Sequence, residues 1–123
     1  MSTPLVGVVG AGYVGLTTAV CLAERGLDTV CIDLDTDKVR RLCAGVAVID
    51  EPGLALLLRQ GLDAGTLRFS ADYGHLADRD LVFLCVPTHS AADGAADLSA
   101  VESAVDTLGE VLSPSAVVAL KST

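Results

Sequence analysis

The sequence predicts an α/β fold: a doubly wound parallel sheet in three layers, with helices on both faces. Three observations predict it. Short apolar runs alternate with helix-periodic segments along the chain, the pattern of strands joined by crossover helices. The longest run, Leu81-Val82-Phe83-Leu84-Cys85-Val86, has no polar residue, as expected of a strand buried on both faces. Hydrophobic residues make up 51% of the 123 residues and aromatics only 3%, so the core must be built from Ala, Val and Leu. That length fits one domain, residues 1–123, and leaves no room for a second.

Each element follows in turn. Leu5-Val6-Gly7-Val8-Val9 is a short apolar run ending in glycines, and reads as strand one. Residues 12–25 read as a helix with Gly26 as its C-terminal cap. Thr29-Val30-Cys31-Ile32-Asp33 is strand two, apolar until its last residue. Asp35 or Thr36 can cap a short helix carrying Val39, Leu42 and Cys43 on one face. Asp50-Glu51-Pro52 opens the next helix, because acids and proline both suit a first turn. Leu54, Leu57, Leu58 and Leu62 are its apolar face. Leu67 to Ser70 is strand three, and Asp72 to Ala77 has room for one or two helical turns. Strand four is Leu81 to Val86, stopped by Pro87; residues 89–97 read as a loop. Leu98, Val101, Val105, Leu108 and Leu112 recur at helical spacing. Pro114 separates that helix from strand five, Ala116 to Leu120. Right-handed crossovers then give strand order 3-2-1-4-5, with a ligand crevice above strands one and four.

Composition excludes several functions. A net charge of −8 argues against a nucleic-acid surface, which needs clustered Lys and Arg. No apolar run approaches the roughly 20 residues of a membrane span, and residues 1–10 lack the pattern of a signal peptide, so the cytoplasm is the expected location. Cys21, Cys31, Cys43 and Cys85 form no C-x-x-C pair. With apolar neighbours on all four, they read as reduced core thiols rather than metal ligands, and no metal is expected.

One motif carries chemistry. Gly10-Ala11-Gly12-Tyr13-Val14-Gly15 matches G-x-G-x-x-G, between a strand and a helix. Gly10 permits a tight turn, Gly12 lets a pyrophosphate approach the backbone, and Gly15 lets the helix lie close to the sheet. The helix N-terminus then offers unpaired N–H groups and about half a positive charge to phosphates. Asp33 ends strand two about 20 residues on, where an acid meets the adenosine ribose. Its carboxylate repels a 2′-phosphate and no Arg follows closely, so NAD is preferred to NADP. This is the Rossmann dinucleotide-binding arrangement. From spacing alone, Lys38 is a solvated lysine on a helix face. Thr88, at the carboxyl end of strand four, either contacts the cofactor or merely starts a loop. Thr123 lies just past strand five on the same edge of the sheet. His75 falls in a polar stretch and reads as a surface residue; His89 adjoins the crevice, but nothing pairs either with a nucleophile.

Taken together, these residues resemble the UDP-glucose/GDP-mannose dehydrogenase family, over nearly the whole chain. The resemblance runs through Val8 to Leu16, Asp33-Leu34-Asp35, Lys38-Val39, Glu51-Pro52-Gly53-Leu54, Cys85-Val86-Pro87-Thr88, Asp93-Gly94, Asp97-Leu98-Ser99 with Val101-Glu102, and Lys121-Ser122-Thr123. It implies NAD contacts at Val14, Asp33, Lys38, Thr88 and Thr123. Gly10, Gly12, Tyr13 and Gly15 of the glycine motif are counted with them, and Thr123 is placed near the reacting centre. It also implies oxidation of a sugar C6 alcohol to a carboxylate with two NAD. The family's nucleophilic Cys and its catalytic Lys and Asn match nothing in these residues. The chain therefore reads as a truncated cofactor domain, without the central helix and the C-terminal substrate domain. A homodimeric parent that meets its nucleotide sugar through those missing parts is expected. UDP-glucose is the leading substrate, with UDP-N-acetylmannosamine or GDP-mannose as rivals. A non-catalytic nucleotide-sensing module is the reading from another class.

Overall fold

A computed structural model describes residues 3–86, 89–90 and 96–121, the side chains of 89, 90, 96 and 97 excepted. Its elements in chain order are β1 (Val6–Val9), α1 (Tyr13–Glu24), β2 (Thr29–Ile32), α2 (Thr36–Cys43), α3 (Leu54–Ala64), β3 (Leu67–Ser70), a 3-10 turn (Tyr73–Leu76), β4 (Leu81–Leu84), β5 (His89–Ser90), β6 (Ala96–Asp97), α4 (Ser99–Val111) and β7 (Val117–Leu120). The main sheet is parallel in the order β3-β2-β1-β4-β7, which is the expected 3-2-1-4-5 with β7 as its fifth strand.

β1 sits at the centre because it is apolar on both faces. All four of its residues are buried, with Val6 paired to Thr29 on one side and to Leu81 on the other. One face packs against α1, α2 and α3 through Val8, Leu16, Leu42 and Leu58. The other packs against the 3-10 turn and α4 through Val9, Ile32, Leu84 and Leu108. The core is aliphatic, as a composition with few aromatics requires. Truncating one of its fully buried leucines, such as Leu16 or Leu58, should cost about 2–5 kcal/mol.

Local signals placed most elements. Asp35 is the cap of α2, its side chain accepting from the Lys38 N–H at 3.1 Å. Gly26 follows α1 as expected, its N–H donating to the Ala23 carbonyl at 2.9 Å. Other expectations need correction. α3 begins at Leu54, not at Pro52, because the Glu51 carbonyl accepts from the Leu54 N–H and closes a turn ahead of the helix. Residues 89–97 are not wholly loop, since His89 and Ser90 pair antiparallel with Asp97 and Ala96. β4 leaves the ladder after Leu84, two residues sooner than its apolar run suggests.

Burial also departs from the sequence pattern. Cys31 and Cys85 are core thiols, but Cys21 and Cys43 are exposed. Helical spacing explains Cys21: Ala19, Val20 and Ala23 take the inward positions of α1. Cys43 closes α2, its Sγ only edging toward the Phe69 carbonyl at 3.6 Å. In α4 the buried residues are Ala104 and Leu108, while Val105 is exposed. β7 is the sheet's outer strand, with Val117, Val118 and Leu120 exposed. Among the described residues no helix is long and apolar enough to cross a membrane.

One structural residue went unremarked in the sequence. Arg79 is almost fully buried at the N-terminal edge of the sheet. Its Nη1 donates to the Asp28 carboxylate at 2.7 Å and to the Asp28 and Val6 carbonyls, and its Nε donates to Asp78 at 3.0 Å. A single guanidinium thus ties the start of β1 to the chain entering β2 and β4. Those hydrogen bonds hold the Asp28 and Asp78 carboxyls below the usual carboxylate range, and hold Arg79 above its own despite burial.

Candidate cofactor site

The chain turns sharply where β1 ends. Gly10 donates its N–H to the Ile32 carbonyl at 2.7 Å and takes φ +100, in the left-handed region that favours glycine. A Cβ on Gly10 would also stand 2.8 Å from the Cys85 carbonyl oxygen. Gly15, one turn into α1, faces the same tight spot: a Cβ there would fall on the Gly10 carbonyl oxygen. This glycine lets helix and turn touch.

Gly12 is different. It caps α1 in an extended conformation, and a Cβ on it would meet nothing within 4 Å. Gly12 supplies no side-chain cap and no acid lies in the first turn of α1. Among the described residues, the start of this helix borders open space at Gly12, where an anion gains from the helix dipole.

Asp33 stands just past β2 and holds this turn. Its Oδ2 accepts from the Ala11 N–H at 2.9 Å, its Oδ1 from the Asp35 N–H at 2.9 Å, and Lys38 Nζ lies 3.4 Å from Oδ2. The ion pair is partly screened, with side chains 27% and 16% exposed for Lys38 and Asp33. Oδ2 already accepts from two donors, while Oδ1 accepts from one and retains a lone pair for a further donor such as a hydroxyl.

Gly10, Gly12, Asp33 and Lys38 all border one cleft of about 350 Å³, within the range of small-ligand sites. Val9 and Val86 line it from the ends of β1 and β4, so the cleft lies above strands one and four, at the switch point of the sheet. Of the other residues singled out from sequence, Gly15 lies beneath the turn and Val14 is half-buried against the core. Tyr13 is exposed at the start of α1 and does not line the cleft. Thr88 and Thr123 lie outside the described residues.

Sequence reasoning missed the far wall. Tyr73 from the 3-10 turn, Leu34, and Ala100, Ser103 and Ala104 from α4 complete the cleft. Spacing held the signal: positions 100, 103 and 104 put small side chains on one helix face, where a crossing helix leaves room for a ligand. Cys85 lies beneath the turn, and burial pushes its thiol up, with Lys121 opposing only in part. Cys31 is pushed up further, first by burial and then by Asp33. Neither thiol is an activated nucleophile. His75 is exposed, its Nδ1 paired with Ser70 Oγ at 2.7 Å, away from the cleft.

The residues present fit a dinucleotide: an open glycine cradle at a helix N-terminus, an acid positioned beside it, and a cleft between. Comparison with known proteins agrees. Residues 5–123 match the family described as "UDP-glucose/GDP-mannose dehydrogenase family, NAD binding domain". The chain is 46% identical over 117 residues to a UDP-glucose 6-dehydrogenase of Pseudomonas aeruginosa, covering 94% of this chain and 26% of that protein. It is 37% identical over 108 residues to a GDP-mannose 6-dehydrogenase of Pseudomonas savastanoi pv. phaseolicola, covering 87% of this chain and 25% of that protein. Among solved structures, a UDP-glucose dehydrogenase from Pyrobaculum islandicum superposes with a TM-score of 0.93 at 36% identity, over 99% of this chain and 29% of that one. The chain thus spans about a quarter of the curated relatives it matches.

Proposed function

The chain belongs to the UDP-glucose/GDP-mannose dehydrogenase family as its NAD-binding domain, and we propose that it serves a cytoplasmic enzyme that oxidises UDP-glucose to UDP-glucuronate. What supports the choice of sugar is identity of 46% and 38% to two UDP-glucose enzymes, against 37% and 38% to two GDP-mannose enzymes. UDP-N-acetylmannosamine and GDP-mannose are the competing substrates.

In this reading the N-terminus of α1 holds the pyrophosphate above Gly12. Asp33 accepts from the adenosine ribose hydroxyls, and Lys38 steadies that carboxylate. Thr88 and Thr123 contact the cofactor toward the nicotinamide. Bound NAD supplies a hydride acceptor, and the residues of this chain fix where it lies. The sugar site, the thiolate that would carry the second oxidation and the dimer contact belong to the remaining three quarters of such an enzyme.

The test is NADH formation by a full-length protein bearing this domain, with the three nucleotide sugars offered separately and then in competition. A kcat/KM highest for UDP-glucose supports the proposal. A higher value for either rival moves the assignment to that sugar, and NAD binding without turnover on any of them removes the enzyme reading.

A further inference from the structure

The cleft continues past the glycine turn and Asp33 into a pocket that phosphate and ribose chemistry leaves unused. Its lining is mostly apolar, with Val86, Ala100, Ala104 and Leu34, and Ser103 as the polar residue of the α4 side. Leu34 is 73% exposed although it is a large aliphatic residue, and so offers a ligand apolar area that the described residues do not cover. Tyr73 closes the far side. Its ring packs against the buried cluster of Val9, Ile32, Leu84 and Ala104 and is thereby fixed in place.

We propose that Tyr73 is an adenine-binding residue of the cofactor site, its ring forming the fixed wall against which the adenine of NAD packs in the cleft that Ala100 and Leu34 also line. The inference rests on the NAD reading of this cleft and extends it to a residue outside the glycine motif. Three features support it. The pocket adjoins Asp33, and the base of an adenosine lies one glycosidic bond from the ribose that Asp33 would hold. The facing residues of α4 are small, which leaves room for a flat ring. Among the described residues the Tyr73 hydroxyl has no hydrogen-bond partner, so it remains available at the pocket rim. Burial, and then the Asp33 carboxylate, raise the phenol above its ordinary value.

The experiment uses the 123-residue chain, with NAD and ADP titrated by calorimetry against wild type, Tyr73→Ala, Tyr73→Phe and Ala100→Phe. Tyr73→Ala should weaken NAD and ADP by the same factor, about tenfold, as loss of an aromatic platform for a base does. Tyr73→Phe should keep most of the affinity. Ala100→Phe sits at an exposed helix position and should block both ligands with the melting temperature unchanged. In wild type, adenine protons should show nuclear Overhauser contacts to the Tyr73 ring, which is readily assigned because the chain has only 2 tyrosines. If Tyr73→Ala does not fold, the Overhauser contacts and Ala100→Phe still decide. Wild-type binding without those contacts, or Ala100→Phe binding as wild type does, overturns the proposal while leaving the NAD reading intact. Failure of wild type to bind NAD at all is a failure of that reading instead.

Discussion

The Asp33 carboxylate accepts a hydrogen bond from the Ala11 backbone N–H at 2.9 Å, so the residue expected to meet the ribose also holds the glycine turn in shape. The two roles are separable. Asn at this position retains one acceptor oxygen, but its NH₂ must then face either the Ala11 or the Asp35 N–H, both of which donate to Asp33. We expect wild type to bind NAD more tightly than NADP. Asp33→Asn should weaken NAD about tenfold or more, given the value of hydrogen bonds to a charged acceptor, and should narrow the preference over NADP. It should also speed hydrogen exchange at the Ala11 or the Asp35 amide in the ligand-free chain. Titration of both cofactors and residue-resolved hydrogen exchange check this. Tighter NADP binding by wild type, or both amides unchanged in the variant, would contradict it.

Gly12 and Gly15 should respond in opposite ways to substitution. At Gly12 a side chain meets nothing in the protein and the backbone is extended. Gly12→Val should therefore fold, at a cost of about 1 kcal/mol or less for a changed helix cap, while losing NAD binding because its methyls fill the phosphate cradle. At Gly15 even Ala collides with the Gly10 carbonyl, so Gly15→Ala should lose stability first and binding as a consequence. Urea unfolding beside NAD titration separates the two. A Gly12→Val protein that binds NAD as wild type does would show that the phosphate site lies elsewhere.

Acid should expose the work of Arg79. The folded-state values of Asp28 and Asp78 lie below the ordinary carboxylate range. Their contribution is therefore fully present above the unfolded value of about 4, and is lost as pH falls through the lower folded values. Both acids are partly exposed, which screens the effect. Removing Arg79 strips hydrogen bonds from the buried Val6 carbonyl and the part-buried Asp28 carbonyl as well. Arg79→Ala should cost about 3 kcal/mol at pH 7, and its urea midpoint should fall less steeply than wild type between pH 5 and about pH 3. Parallel acid profiles for the two proteins would mean that Arg79 does not set these carboxyl values.

The chain alone should form no NADH from UDP-glucose or related sugars. Hydride transfer needs the sugar held against the nicotinamide, and acyl formation needs an activated thiolate. Cys85, beneath the glycine turn, is buried and its thiol is raised. Assays at high protein concentration with excess NAD check this. Turnover that survives re-purification and disappears in Cys85→Ser would overturn it.

The sequence by itself determined the sheet and the glycine turn that opens α1. Buried parallel strands leave unbroken apolar runs, and G-x-G-x-x-G with an acid after the second strand encodes a local geometry of backbone and one side chain. Both are short-range requirements, written in consecutive residues. Only the tertiary structure decided the rest. Tyr73, Ala100 and Ser103 reach one cleft because the 3-10 turn and α4 pack together on one face of the sheet, and no local pattern measures that distance. Lys38, from its spacing a solvated lysine, pairs with Asp33 only because Asp35 starts α2 and aims its first turn back toward β2. Cys21 and Cys43 have apolar neighbours in sequence yet are exposed, because the faces of α1 and α2 toward the sheet are taken by other residues. Arg79 looked like one of eight scattered basic residues. Its burial follows from the meeting of three chain segments whose carbonyls and carboxylates needed a single donor, a demand that arises only once the strands are side by side.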